Sequence, residues 1–252
     1  MIVDAIDPRP GETLIEIGGG HGELTEKLRA AAHHQRINFR LVVVEKDARL
    51  AEEIKKRFSG EKNIEVKTDD IRAMLPSFVS KLPRGSYKLV GNIPYYLTGY
   101  LLRLTGELKP KPSRAVFMLQ REVAERLAAE PPKMNRLAAM VQFWGSPKIL
   151  TIVSRRAFSP RPKVDGAVVV IETKKNPGIM PEIYFRAARI LFKQPRKTLL
   201  NNLSASKNLG SKEEIRAELK KLSLQESLRP QDLHLKDILN IAKAFFASRP
   251  QN

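Results

Sequence analysis

The 252-residue chain contains no cysteine, which excludes disulfides and thiolate-bound zinc and suits a reducing compartment. Long hydrophobic runs are also missing. The longest aliphatic stretch, AVVVI at 167–171, falls far short of the ~20 residues a membrane-crossing helix requires. The opening MIVDAIDPRP lacks the basic-then-apolar pattern of a secretory signal. The expectation is a soluble, cytoplasmic protein with no membrane association. Histidines are few, and His21, His33, His34 and His234 stand apart from any metal-like set of acids, so no metal is expected.

Acidic residues are scarce relative to basic ones: 27 Asp plus Glu against 45 Lys plus Arg, a net charge of +18. The imbalance is local. Residues 1–30 carry six acids and three bases, 103–163 carry thirteen bases and four acids, and 174–207 carry eight bases and one acid. Thermal adaptation enriches both signs and does not produce this pattern. Clustered bases are rewarded by counterion release from a polyanion, so nucleic acid is the expected partner. Any single one of these bases also fits a solvated surface.

The chain length and an apolar fraction of 42% allow one main domain with a smaller appendage. TLIEIGGG reads as a strand running into glycines, followed by a helix over HGELTEKLRAAAHH. FRLVVVEKD, NIEVKTDD, YKLVGN and SRAVFMLQ read as further strands, with helices over ARLAEEIKKRF, YYLTGYLLRLTG and REVAERLAA. This alternation predicts a mostly parallel α/β sheet covered on both faces. KILTIVSRRAFSPRPKVDGAVVVIETKK offers two strands without a long helix between them, an antiparallel pair finishing the sheet. Trp144 is expected in the core or at a sheet edge. Beyond a turn-rich break, PEIYFRAARILFK, SKEEIRAELKKL and LKDILNIAKAFF predict a helical second domain. The expected boundaries are 1–177 for the sheet domain and 178–252 for the helical one.

In EIGGGHG, Gly18, Gly20 and Gly22 end the first strand, where backbone amides of a doubly wound sheet meet a ligand. The spacing is GxGxG rather than the GxGxxG of dinucleotide sites, and a plain tight turn would also use it. Glu45 ends the second strand, 23 residues after Gly22, near the ~20-residue spacing at which an acid grips a ribose. Asp70, beside Asp69, ends the third strand. A ribose acid, an adenine acid and no P-loop lysine describe a nucleoside without a polyphosphate, namely S-adenosylmethionine, released as S-adenosylhomocysteine. Helix capping is the alternative use of these acids, and it suits Asp69 better than Glu45.

GNIPYY at 91–96 stands where the fourth strand stops. The Asn92 side-chain carbonyl and the Ile93 backbone carbonyl, kept extended by Pro94, offer two acceptors. An adenine exocyclic amine has two N–H donors and a delocalised lone pair. Accepting both hydrogens localises that pair on nitrogen. Tyr95 would stack on the base and face the cationic sulfonium methyl, with alignment and electrostatics carrying the catalysis.

Taken in order, EIGGGHGELT, VVEKD, GNIPYY, AFSPRPKVDGAVV and FKQPRKTLLNNL resemble the ribosomal RNA adenine dimethyltransferases (KsgA type), over about residues 2–246. The resemblance implies a Rossmann-like, S-adenosylmethionine-dependent methyltransferase sheet with a small C-terminal helical domain. It implies N6,N6-dimethylation of two adjacent adenosines in the 3′-terminal hairpin of small-subunit rRNA, on a pre-ribosomal 30S particle, by a monomer. It makes Phe158, which taken alone reads as core, the second aromatic clamping a flipped adenine against Tyr95. Arg155, Arg156, Arg161 and Lys163 would hold the target's backbone, while Lys193, Arg196 and Lys197, with Asn201 and Asn202, would face rRNA. Pro195 stands where the family pattern carries an arginine, and is expected to shorten the preceding helix. The family's Phe-Gly-Gln-(His or Asn)-Phe-Leu segment, which covers the cofactor, has no counterpart between Met1 and the first strand; either the sequence begins short of it or the enzyme works without it. Two other readings stay open: a large-subunit rRNA adenine methyltransferase, and a non-catalytic RNA-binding assembly factor.

Overall fold

The computed structural model describes residues 1–175, 177–206 and 208–247. Seven strands, β1 (Thr13–Ile17), β2 (Arg40–Glu45), β3 (Ile64–Thr68), β4 (Tyr87–Asn92), β5 (Arg114–Gln120), β6 (Gly145–Val153) and β7 (Gly166–Thr173), make one sheet in the order β3-β2-β1-β4-β5-β7-β6. β1 to β5 pair in parallel, and β7 pairs antiparallel with both β5 and β6. All five residues of β1 and the first five of β4 are buried, as expected of parallel strands covered on both faces. β6 alternates between less and more exposed residues and pairs only with β7, which marks it as an edge. The chain winds one way from β1 through β2 to β3 and the other way from β4 to β5. The switch point therefore lies between the carboxyl ends of β1 and β4.

The covering helices of this unit are α1 (Ile2–Ile6), α2 (Glu23–Gln35), α3 (Ala48–Arg57), α4 (Ile71–Val79) and α5 (Thr98–Glu107), with α6 (Arg121–Leu127) leaving it. α2 buries Thr25, Leu28 and Ala32 at helical spacing. α3 begins where the Asp47 carboxylate accepts from the backbone N–H groups of Arg49 and Leu50. Their apolar faces join Leu14, Leu41 and Val43 of the sheet in one core, each fully buried aliphatic side chain contributing roughly 1.5–3 kcal/mol. α1 and α4 were not anticipated, although Ile71, Met74, Leu75 and Val79 of α4 make a buried stripe. At the amino edge of the sheet, buried Lys88 pairs with Glu12 at 2.8 Å and donates to the Asp7 carbonyl.

The chain divides into two compact units, one of Met1–Ala124 with Gly145–Thr173, the other of Glu125–Trp144 with the chain from Lys174 onward. The expected boundary at 177/178 differs in two ways. The division falls at 173/174, and the segment 125–144 belongs with the helices. The reason lies in α7 (Arg136–Trp144), whose Phe143 stacks on Tyr184 at 4.3 Å and meets Phe185 edge-on at 5.2 Å. Trp144 is buried. The Tyr184 hydroxyl donates to the Ala139 carbonyl at 2.9 Å. The remaining helices are α8 (Pro181–Leu191), α9 (Leu199–Ser204), α10 (Lys212–Lys221) and α11 (Leu235–Phe246). α10 opens with a reciprocal Ser211–Glu214 capping box. α11 buries Ile238, Ile241, Ala242, Phe245 and Phe246 as one stripe and packs chiefly on α8. The last residues of the expected helical domain, 248–252, lie outside the described residues. Among the described residues no helix is long and apolar enough to cross a membrane, and no group of three or more His, Asp and Glu could hold a metal.

Candidate active site

The glycine loop leaves β1 beside β2. Gly18 donates to the Val44 carbonyl at 2.9 Å, and Gly18, Gly20 and Gly22 all have positive φ, at 73°, 54° and 80°. Gly19, not singled out from sequence, is the tightest of the run: a Cβ there would lie 2.5 Å from Val43 and 2.7 Å from Ile54. Glycine at 19 therefore lets the loop settle onto β2 and α3. Gly22 caps α2 against Phe58 and Ile54 and so shapes the helix start.

Glu45 braces this loop. One carboxylate oxygen accepts from the Gly20 N–H at 3.0 Å and the other from the Asp47 N–H at 2.9 Å. Beneath it, Glu16 of β1 is 1% exposed. Its Oε2 accepts from the Thr25 hydroxyl at 2.7 Å, linking strand to helix, while its Oε1 has no partner among the described residues. Burial pushes its carboxyl up to about 8, with the Thr25 hydroxyl opposing and the Glu45 charge adding to the rise. Glu16 escaped the sequence reading, although a lone carboxylate within an otherwise apolar TLIEI strand signals a group with a buried task.

Asp69 and Asp70 both line the cleft at the end of β3, and the capping use considered for Asp69 falls to its neighbour. Asp70, not Asp69, is the helix cap: its carboxylate accepts from the Arg72 N–H at the start of α4. It is also gripped by the Arg72 guanidinium, at 2.5–3.1 Å, and by Lys46 Nζ at 3.2 Å. These partners, Arg72 first, hold the Asp70 carboxyl well below the usual carboxylate range. Asp69 is exposed, and its carboxylate accepts from the Asp70 N–H at 2.7 Å.

Across the switch point, β4 closes on β1 because Gly91 has no side chain; a Cβ would lie 2.6 Å from the Ile17 carbonyl. Asn92 follows at the strand end, exposed, in register with Met118 of β5. Its backbone carbonyl lies 4.0 Å from where a Gly18 Cβ would stand, so the glycine loop and the NIPY motif are neighbours. The Ile93 N–H donates to the Met118 carbonyl at 3.1 Å and its side chain is buried, which fixes the backbone while its carbonyl stays outside α5. Pro94 closes a turn by accepting from the Leu97 N–H at 2.9 Å, and Tyr95 and Tyr96 occupy the exposed tip of this turn.

Phe158 is half-buried. Its ring tip and the Met118 sulfur both lie over Gly166, 3.4 and 3.1 Å from where a Cβ would stand. The structure thus brings Phe158 to the strand end that carries Asn92. Of the bases around it, Arg155 is partly committed, its guanidinium donating to the Lys163 carbonyl at 3.0 Å and its N–H to Asp165 at 3.0 Å. Arg156, Arg161 and Lys163 are exposed.

Within the helical unit, Lys193, Arg196 and Lys197 are exposed on the loop between α8 and α9. Asn202, expected to face rRNA, is instead buried at 4% exposure. Its amide donates to the carbonyls of Gln194, Lys197 and Thr198 at 3.0–3.1 Å and accepts from the Gln194 N–H at 3.2 Å. It therefore staples the basic loop from inside. Asn201 is exposed. α8 ends at Leu191, before Pro195.

Ile17, Gly18, Val44, Glu45, Asp69, Arg72, Pro94 and Tyr96 line one cleft, with about 100 Å³ of space for water. The residues present fit S-adenosylmethionine. The loop is open above Gly20, where an added Cβ would meet nothing within 4 Å, acids stand at the two neighbouring strand ends, and the Lys46 ammonium in the same lining is engaged by Asp70 at 3.2 Å. Comparison with known proteins agrees. Residues 1–246 match the family described as Ribosomal RNA adenine dimethylase. The chain is 34% identical over 242 residues to the Ribosomal RNA small subunit methyltransferase A of Dehalococcoides mccartyi, covering 94% of this chain and 79% of that one. It is 30% identical over 252 residues to the protein of the same name from Mycoplasma mycoides, covering 98% and 92%. Among solved structures, a dimethyladenosine transferase from Plasmodium falciparum superposes with a TM-score of 0.78 at 25% identity, over 97% of this chain and 95% of that one. The 23S rRNA methyltransferase ErmE shares the fold, with a TM-score of 0.74 at 23% identity over 97% and 96%. In sequence as in the geometry of its cleft, the chain belongs to the S-adenosylmethionine-dependent ribosomal RNA adenine dimethylase family.

Proposed function

We propose that this enzyme converts two adjacent adenosines in the 3′-terminal hairpin of small-subunit rRNA to N6,N6-dimethyladenosine. It would act as a cytoplasmic monomer on a pre-ribosomal 30S particle. The observation that carries the reading is the pair of acceptors at the end of β4, the Asn92 side chain and the Ile93 carbonyl, set next to Gly18 at the switch point. Relatives at 30–37% identity that bear the name small subunit methyltransferase A support the choice of subunit.

When bound, S-adenosylmethionine supplies an electrophilic methyl group on a sulfonium centre. Glu45 would take the ribose hydroxyls, and Asp69, free of the ion pairs that occupy Asp70, would take the adenine amine. The loop amides around Gly18 and Gly20 complete the cradle. Asn92 and Ile93 accept the two N–H bonds of the target amine and draw its lone pair out of the ring. Tyr95 and Phe158 clamp the base once it has left its stack. No strong base is required, because the amine proton leaves after the new bond has formed. Arg156, Arg161 and Lys163 hold the backbone near the target, and Lys193, Arg196 and Lys197 contact rRNA phosphates.

The test is nucleoside mass spectrometry of under-methylated small subunits incubated with the enzyme and S-adenosylmethionine. Dimethyladenosine is expected. Its absence there, with formation on large-subunit rRNA instead, overturns the assignment of substrate.

A further inference from the structure

Three of the chain's five tyrosines, Tyr95, Tyr96 and Tyr100, fall within six residues. All three are exposed, Tyr96 at 84% and Tyr100 at 37%, whereas Tyr87 and Tyr184 are buried. The local backbone keeps them out of the core. The Pro94–Leu97 turn holds Tyr96 outward, while Leu97, Leu101 and Leu104 take the buried side of the same segment. Tyr96 sits in the Pro94–Leu97 turn and Tyr100 in the first turn of α5, which the Leu101 N–H to Leu97 carbonyl bond of 2.9 Å anchors directly after it.

Their surroundings suit a nucleotide. Tyr96 lines the cofactor cleft beside Pro94 and Arg72. The Arg103 guanidinium lies 5.2 Å from the centroid of the Tyr100 ring and is steadied by Glu107 at 3.3 Å. Arg72, fixed by Asp70, lines the same cleft as Tyr96. Scattered single aromatics on a surface need no explanation, but two exposed rings four residues apart, one lining a cleft with Arg72 and the other against Arg103, mark a contact site. Unpaired bases stack on such rings whatever their sequence.

We propose that Tyr96 and Tyr100 form a stacking subsite for the nucleobase next to the adenosine being methylated, with Arg103 and Arg72 facing its phosphate. This rests on the reading of the chain as an rRNA adenine dimethyltransferase. In an adjacent pair of target adenosines the occupant is the other member of the pair, so one base is parked while its neighbour reacts. Tyr95 keeps the separate task of clamping the reacting base.

Initial rates on under-methylated small subunits, read by nucleoside mass spectrometry, test it. Tyr96→Ala and Tyr100→Ala should each raise the KM for the subunit about tenfold, Tyr100→Ala with little change in kcat, and Tyr96→Phe and Tyr100→Phe should restore it, because the ring and not the hydroxyl stacks. Calorimetric affinity of Tyr100→Ala for S-adenosylmethionine should match the parent, separating the subsite from the cofactor cleft, and circular dichroism checks the fold. Unchanged KM in both alanine variants of an active enzyme overturns the subsite alone, as does failure of the phenylalanine variants to recover. A parent enzyme that forms no dimethyladenosine overturns the assigned function and the subsite with it.

Discussion

Glu45 and Gly20 are joined by a hydrogen bond of 3.0 Å in which the carboxylate at the end of β2 accepts from the backbone of the loop after β1. One residue thus shapes the loop and presents an acid to the same cleft. Glu45→Ala removes both, and charged hydrogen bonds of this kind carry about 1.5–3 kcal/mol each. The affinity for S-adenosylmethionine should fall at least about tenfold, measured by calorimetry. An affinity equal to the parent's would remove Glu45 from the cofactor site.

Asp69 and Asp70 should separate cleanly. Asp69→Ala is expected to weaken cofactor binding about tenfold at unchanged melting temperature. Asp70→Ala removes a helix cap and its ion pairs, costing roughly 1 kcal/mol, or about 2–4 °C in a chain of this size. The Asp70 carboxyl is held below its ordinary value, so its contribution is present above the ordinary carboxylate range and is lost only as pH falls through the lowered folded value. If the two variants show the opposite pattern, the division of roles between them is wrong.

Glu16 makes stability fall with rising pH. Its folded pKa, about 8 against 4.5 in the unfolded chain, means that between these values the native state holds a proton the unfolded chain has released. The contribution is full below about 4.5 and disappears as pH rises to about 8. Urea midpoints of the parent should decline across this window, and Glu16→Gln, which cannot ionise, should flatten the decline. Parallel profiles for the two proteins would contradict the burial argument.

Asn92→Ala is expected to leave cofactor affinity within about twofold of the parent while transfer falls by a factor of roughly 10²–10³, the scale for losing one preorganised hydrogen-bonding group. Single-turnover transfer on under-methylated subunits measures it. An Asn92→Ala enzyme of normal rate sinks the acceptor argument.

Asn202→Ala leaves three inward-facing carbonyls without their donor, a loss of roughly 1–3 kcal/mol. Both stability and rRNA affinity should drop, the latter because Lys193, Arg196 and Lys197 no longer share one fixed loop. An exposed RNA contact would lose affinity alone, and that outcome would restore the sequence expectation for this residue.

All seven strands were legible in the sequence because six contain a short apolar run and β3 alternates apolar with polar residues before its acids, and the antiparallel end followed from the missing helix between the last two. The helices fared unevenly. α4 carries Pro76 within its span and starts directly after acids that read as a strand end, so its stripe was overlooked. α7 is apolar nearly all round, a pattern without the amphipathic period that announces a surface helix. At the site, the loop glycines, Glu45 and the NIPY motif could be placed in advance at the ends of strands, and the fold brings them together at the switch point. What could not be read was competition between neighbours. Asp69 and Asp70 have the same chemistry, and only the placement of Arg72 and Lys46 decides which is already occupied. Asn202 sits in a polar, basic stretch that resembles an RNA contact until three backbone carbonyls are found converging on it.

The division of the helical unit into two stretches, 125–144 and the chain from 174 onward, governs how the protein emerges from a ribosome. α7 leaves the exit tunnel before the helices it packs on, with Phe143 covered by Tyr184 and Phe185 of α8 and the helix also meeting α11. The sheet can close once β7 has appeared, whereas α7 has to wait until nearly the last residues are made. Through that interval an aromatic helix stands uncovered, so this protein should be most prone to aggregate, and most in need of chaperones, when synthesis stalls between β7 and α11.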